Sequence, residues 1–375
     1  MAKFKMRTSD IKALASAISG KVMLPVELSD YVAIEIKNNT MTLWVTDGNN
    51  YLYVCKDKID AEAFYAVVPL DRFQKLISRM TTDEVSISVS GTKMIIKGNG
   101  KYVLDLRYDV DGELLEYPDP LKDLDYENWE HKAFNLTTLN VIKTVSKAAL
   151  LVDKDLTNPY TGYFLGDSVI TTDTLKINRV NIPILDEPKI LMPTTFQMLE
   201  AINTEAIDIY YKDDKIVFAT PNVQVYGEVV DVEIADPDDE ESTGYPLQAI
   251  NDRFDAPYPS YCVIDRNAVL SVLNRVRIFV DQIDENGIYL TFTKDGINVC
   301  SKSNTGDEVI TYVELSSFKD FRCSVDIVLF EQQVRACRNN RITMYFGRDD
   351  IIKFQDGNVT QILALEYDGE DDEEE

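Results

Sequence analysis

The chain has 375 residues, a length that suggests two or three domains; 45% of the residues are hydrophobic, enough for three separate cores, and no apolar run approaches the roughly 18 residues of a membrane span. With 64 acidic against 38 basic residues the net charge is −26, and taken as a sum this argues against nucleic-acid binding, because phosphates must be met by Lys and Arg. A single histidine, His131, excludes Ser-His-Asp, Cys-His and His-rich metal arrangements, and five cysteines without a CxxC pair (Cys55, Cys262, Cys300, Cys323 and Cys337) read as reduced thiols of a cytoplasmic protein.

The elements begin with a strand in which Phe4 and Met6 alternate inward. Ser9 or Asp10 is placed to cap the helix that follows, with Ile11, Leu14, Ala15 and Ile18 on its apolar side. Strands VAIEI, MTLWVTD and YLYVC come next. Residues 67–97 then read as a strand end, Pro69, a helix through Phe73, Leu76 and Ile77, and two strands, VSISV and MIIK, joined by a Gly-Thr turn. Gly98-Asn99-Gly100 lies between strands, so it is a hairpin turn rather than a phosphate-cradling loop. Residues 109–130, with Tyr117-Pro-Asp-Pro, read as a linker.

The same order returns twice. Phe134 and Leu136 precede a helix with Ile142, Val145 and Ala149, followed by strands GYFLG, VITTD and INRVNI. Residues 189–218 close this copy with a strand end at Ile190, Leu191 and Met192, a proline, a short amphipathic helix and two alternating strands. After an acidic linker, 231–256, Val263 and Asp265 precede a helix with Val269, Val272, Leu273 and Val276, then IYLTFT, INVCSK and VITYVEL. Residues 325–354 close the third copy through Ile327, Val328, Phe330 and Val334, then ITMYF and IIKF.

In each copy a period-3.6 apolar pattern hands over to a period-2 one at the same place. Repeats this far apart are whole domains, since solenoid units run only about 20–50 residues. The predicted architecture is therefore α+β, with three similar domains at 1–122, 123–242 and 243–367, each made of two short helices on antiparallel sheets. The tail, 368–375, is too acidic to join a core and is expected to be disordered.

No catalytic or metal-ligating set emerges. Thr46-Asp47 and Thr172-Asp173 look like paired reactive groups until they are seen to be one position in two repeats, which points to turn shaping. The helix faces are more telling. Arg72, Lys75 and Arg79 share a face away from the apolar stripe of Leu70, Phe73, Leu76, Ile77 and Met80. Lys12, Lys143, Lys147, Arg275, Arg335, Arg338 and Arg341 are likewise read on exposed helix positions. Much of the acid, by contrast, sits in 231–241 and the tail, so a local basic surface survives the negative sum.

Taken together, the sequence resembles the bacterial β sliding clamp, the processivity factor (β subunit) of the replicative DNA polymerase. The resemblance rests on three repeats in this length, the opening FKMRTSDIKAL, the segments TLWVTDGNNYL, VITTDTLKINRV and VVPLDRFQKLI, Tyr245-Pro246 after the second linker, and an end at a strand followed by a tail. It implies a head-to-tail homodimeric ring on double-stranded DNA with Lys12, Arg72, Lys75, Arg79, Lys143, Lys147, Arg275, Arg335 and Arg338 facing the duplex. It also implies a hydrophobic cleft for peptides of the polymerase and the clamp-loader ATPase, formed by Thr172, Leu175, Ile177, Pro246, Ile250, Ile362, Leu363 and Leu365. The ring interface would set Arg72, Tyr102 and Leu104 against Ile278 and Phe279.

Such a protein is a non-catalytic accessory subunit, cytoplasmic, with no cofactor, metal or membrane partner. Two departures stand out. The family commonly has Gly then His after the second Thr-Asp, where this chain has Thr174 and Leu175, and it typically stops near the last strand, where this chain adds GEDDEEE. Both suit a divergent or phage-encoded member. The competing reading from another class is a β-rich structural or assembly ring without DNA binding, against which the basic helix faces speak.

Overall fold

The computed structural model describes residues 3–21, 26–151, 160–236, 238, 244–280, 286–316 and 318–366. In the first repeat β1 (Lys3–Arg7) buries Phe4 and Met6 and runs straight into α1 (Thr8–Ala17). The helix starts before the expected caps: Ser9 and Asp10 lie inside its first turn, and the N–H of Thr8 is taken by the carbonyl of Asp83 at 2.9 Å. A side-chain cap is unnecessary where a neighbouring carbonyl accepts the leading N–H. There follow β2 (Tyr31–Lys37), β3 (Thr40–Thr46), β4 (Tyr51–Lys56), β5 (Phe64–Pro69), α2 (Leu70–Ser78), β6 (Glu84–Ser90), β7 (Lys93–Lys97) and β8 (Lys101–Asp105).

The second repeat repeats the series as β9 (Glu130–Asn135), α3 (Leu136–Lys147), β10 (Tyr163–Leu165), β11 (Val169–Thr172), β12 (Lys176–Val180), β13 (Lys189–Leu191), α4 (Pro193–Met198), β14 (Ala206–Lys212), β15 (Lys215–Ala219) and β16 (Val223–Asp231). A helix, α5 (Leu247–Asp255), occupies part of the stretch read as an acidic linker, and it buries Ile250 and Phe254 one turn apart. The third repeat comprises β17 (Ser260–Asp265), α6 (Arg266–Val276), β18 (Gly287–Phe292), β19 (Ile297–Ser301), β20 (Asp307–Ile310), β21 (Tyr312–Leu315), β22 (Phe321–Asp326), α7 (Ile327–Ala336), β23 (Arg341–Phe346), β24 (Ile351–Asp356) and β25 (Val359–Ala364). The run VITYVEL, read as one strand, is two, because β20 pairs with β19 and β21 with β17. The acidic tail lies outside the described residues.

Contacts divide the chain into two compact units, Met1–Leu139 with Leu191–Val230 and Asn140–Ile190 with Asp231–Glu375, so the second repeat contributes to both. In the first unit one antiparallel series runs β5-β2-β3-β4-β16-β15-β14-β9. Its centre is a seam between repeats, with Val54 opposite Val223 and Tyr51 opposite Tyr226. A separate four-stranded sheet is ordered β1-β6-β7-β8. In the second unit the series is β10-β11-β12-β25-β24-β23-β17-β21, with a seam that sets Ile177 opposite Ile362. Its separate sheet is ordered β20-β19-β18-β22.

Helices α1 and α2 supply Ile11, Leu14, Phe73 and Ile77 to the core of the first unit. Helices α6 and α7 bring Val269, Leu273, Phe330 and Val334 into one cluster with Leu290, Phe346 and Phe354 in the second. The stretch 109–130 is no free linker. Tyr117 is buried against Trp44, whose indole N–H donates to the carbonyl of Pro118 at 2.9 Å, and the Tyr117 hydroxyl donates to the carbonyl of Leu28 at 2.7 Å. Among the described residues none of the five cysteines forms a disulfide.

Candidate functional site

The repeated Thr-Asp positions act as turn formers. The carboxylate of Asp47 accepts from the N–H groups of Asn49 and Asn50, at 3.2 and 2.8 Å, and Thr46 accepts from that of Gly48. Asp173 does the same for Leu175 and Lys176, at 3.2 and 2.7 Å, and Thr172 for Thr174, whose φ of 76° this bonding supports. These groups are spent on the backbone, which leaves the helix faces, the second seam and the sheet edges as candidate sites.

In the first unit Arg72, Lys75 and Arg79 are exposed and Lys12 is half-exposed. Lys75 pairs with Asp71 on its own helix at 2.8 Å. In the second unit Lys143, Lys147, Lys176 and Arg335 line one surface groove, together with Asp173 and Gln332. Charge is not equally free on this face. Arg275 grips Glu308 through two nitrogens, which holds the Glu308 carboxyl below its usual range, and Arg335 and Arg277 both bind the buried Glu331, at 2.8 and 3.0 Å. Lys147 and Arg338 are exposed with no ion pair among the described residues, but Arg338 lies beyond the end of α7 at Ala336 and Arg341 opens β23, so neither arginine is on a helix face as expected.

At the second seam, Ile177 and Ile362 lie opposite one another and share an apolar cluster with Ile250, Phe164, Ile170, Tyr245, Phe254, Ile351 and Leu247. Pro246 precedes α5, and its carbonyl accepts from Ile250 at 3.0 Å, which fixes the helix over this cluster. Leu175 is 53% exposed and is tied to the last strand by the bond from the Ala364 N–H to its carbonyl, at 2.8 Å. Thr172 is buried beside this turn. Leu363 alternates to the other face and joins the third repeat's core, against which the half-buried Leu365 also packs.

The structure thus brings Ile177, Ile250 and Ile362 together and places Leu363 elsewhere. Phe254 and Leu247 were not anticipated, although Ile250 and Phe254 at helical spacing carried the signal. Tyr258 packs on the same cluster; its hydroxyl is enclosed without a partner, and burial pushes it up to about 12.

Both separate sheets end in strands that leave apolar side chains outside. On β8, Tyr102 and Val103 are exposed, while Leu104, expected at an interface, turns into its own core. With nothing paired beyond β8, Tyr102 and Val103 are both uncovered, and only Leu104 is inside. On β20, Val309 is 54% exposed. Just after α6, Ile278 is 77% and Phe279 49% exposed, and Phe279 lies over Gly306, where a Cβ would come within 2.7 Å of the ring.

No family model matches the sequence, and no curated protein matches it significantly. Solved structures do. The β subunit of DNA polymerase III from Borrelia burgdorferi, in complex with a natural product, superimposes with a TM-score of 0.81 at 13% identity, over 98% of this chain and 100% of that one. The corresponding subunit from Thermotoga maritima gives 0.78 at 16% identity, and the DNA polymerase sliding clamp from Pseudomonas aeruginosa 0.78 at 13%, each with the same coverage of both chains. The chain has the fold of the bacterial sliding clamps along nearly its whole length.

Proposed function

We propose that this chain is a non-catalytic DNA sliding clamp: two copies close head to tail around duplex DNA and tether a replicative polymerase through the groove at the second seam. The observation that carries the reading is a pairing rule. Strands β8, β16 and β25 hold the same place in three repeats, and so do β4, β12 and β20. Within the chain β16 pairs with β4 and β25 pairs with β12, always antiparallel. Among the described residues β8 and β20 each have a strand partner on one side only, β7 and β19.

A head-to-tail contact must either close or propagate, and pairing β8 of one copy with β20 of another completes the third seam of a ring. Tyr102, Val103, Val309, Ile278 and Phe279 would then be covered, which accounts for apolar surface that is otherwise costly to leave in water. Three domains, near 1–122, 123–242 and 243–367, follow from the same rule.

A protein that slides must not read sequence, so its contacts go to phosphates and stay weak. Lys12, Arg72, Arg79, Lys143, Lys147, Arg335 and Arg338 supply this attraction, while the acidic remainder discourages DNA from other surfaces. Retention is topological and needs no tight binding. The exposed Leu175 and half-buried Ile177, backed by the buried Ile250 and Ile362, offer apolar anchors at this seam to a short extended peptide from a polymerase or a clamp loader. A cytoplasmic site of action follows from these partners.

The test is light scattering for mass, followed by retention on nicked circular against linear DNA. A dimer that stays on circles and runs off linear ends supports the clamp; equal loss from both sinks it and favours a structural ring.

A further inference from the structure

We infer that the two seams inside the chain are keyed by buried polar groups, and that these keys reserve the unkeyed third edge for a second copy of this chain. The inference rests on the pairing rule above. A turn-closing bond marks the start of the outer strand in each repeat: Asp47 N–H to Asn50 and Asp173 N–H to Lys176 across two-residue turns, and Ser301 N–H to Gly306 across a four-residue turn just before β20.

At the first seam Asn50 is buried, and its side chain accepts from the hydroxyl of Thr195 on α4. Gly227 makes room for that contact; a Cβ there would lie 2.8 Å from the Thr195 hydroxyl oxygen and 2.9 Å from the Asn50 oxygen. At the second seam Lys176 has a side chain only 4% exposed, and it donates to Gln332 on α7. Beside it, Gln333 donates to Asn178 and to the carbonyl of Ile362, at 2.8 and 2.9 Å. Asn178 donates to the carbonyl of Val145 at 2.7 Å, and Gln361 donates to Gln333 at 2.7 Å. Asn178, Gln333 and Gln361 are all fully buried.

At the third position stands Gly306, with no side chain to reach across and Phe279 lying over it. Edges that share a repeat are otherwise alike, so β12 could accept the wrong strand, in domain-swapped chains or open filaments. A wrong partner leaves the amides of Asn178 or Gln333 buried and unpaired, and an unmet buried polar group costs more than a met one contributes. Apolar contact at the third edge carries no such penalty and can open and reclose.

The experiment uses the full chain with Asn178, Gln333 and Gln361 all replaced by Leu, and separately Asn50→Leu with Thr195→Val, each followed by native mass spectrometry and light scattering. The keys predict that one or both variants form species larger than the two-copy assembly of the wild type, from β12 or β4 accepting foreign strands. Both variants remaining strictly two-copy overturns the inference. Loss of folding in both overturns it too, since the networks are then plain supports. A wild type that is itself monomeric refutes instead the reading on which the keys rest.

Discussion

Replacing Ile278 and Phe279 with Asp should separate the dimer while leaving each chain folded. Ile278 is 77% and Phe279 49% exposed in the single chain, so neither holds up its core. Full burial of such a side chain contributes roughly 1.5–3 kcal/mol, and scaled by the exposed fractions the pair supplies about 2–4 kcal/mol to association. A two-copy head-to-tail ring has two such contacts, so the total loss is about 4–8 kcal/mol, which weakens the dissociation constant roughly 10³- to 10⁶-fold, and the carboxylates forced into each contact weaken it further.

Sedimentation velocity over a concentration series reads the effect directly. The wild type should run at about 85 kDa, twice the 42.6 kDa chain, and the variant at the chain mass. Thermal unfolding of the isolated variant should stay close to that of a wild-type monomer prepared by dilution. An assembly of unchanged affinity in the double variant would refute the reasoning, because the apolar surface would then be exposed in the dimer as well.

Leu175→Asp with Ile177→Asp should abolish binding of a peptide carrying Gln and clustered Leu or Phe, measured by calorimetry, without altering the mass; unchanged affinity would place the partner site elsewhere. Lys147→Gln with Arg338→Gln removes four charges from a two-copy ring and should flatten the salt dependence of DNA binding by about 3–4 units of log–log slope, at roughly −0.9 per phosphate contact. Arg275→Gln should leave that slope as it is, because Glu308 already neutralises the guanidinium. The hydrogen bond from Arg348, with Arg253 nearby, holds the Asp350 carboxyl below its ordinary 3.8. A depressed folded-state value means stability that is complete above pH 3.8 and lost as pH falls below it. Urea midpoints should therefore fall more steeply with acid in the wild type than in Asp350→Asn, and parallel curves would rule the contribution out.

Three repeats, the alternation of their strands and the turn role of Thr46-Asp47 and Thr172-Asp173 were all legible in the sequence. Each is a property of residues close along the chain, where spacing alone sets which face a side chain takes. Tertiary structure decided the rest. Pairing of β16 with β4 and of β25 with β12 joins edges that are locally alike, so no window of residues distinguishes them. Ile362 and Leu363 are neighbours of the same type, and only the seam shows that the first joins the cluster under α5 and the second the third repeat's core. Arg275 reads as a free cation until Glu308, 33 residues away, is brought against it. Charge pairing, like edge pairing, depends on groups that only the folded chain brings together.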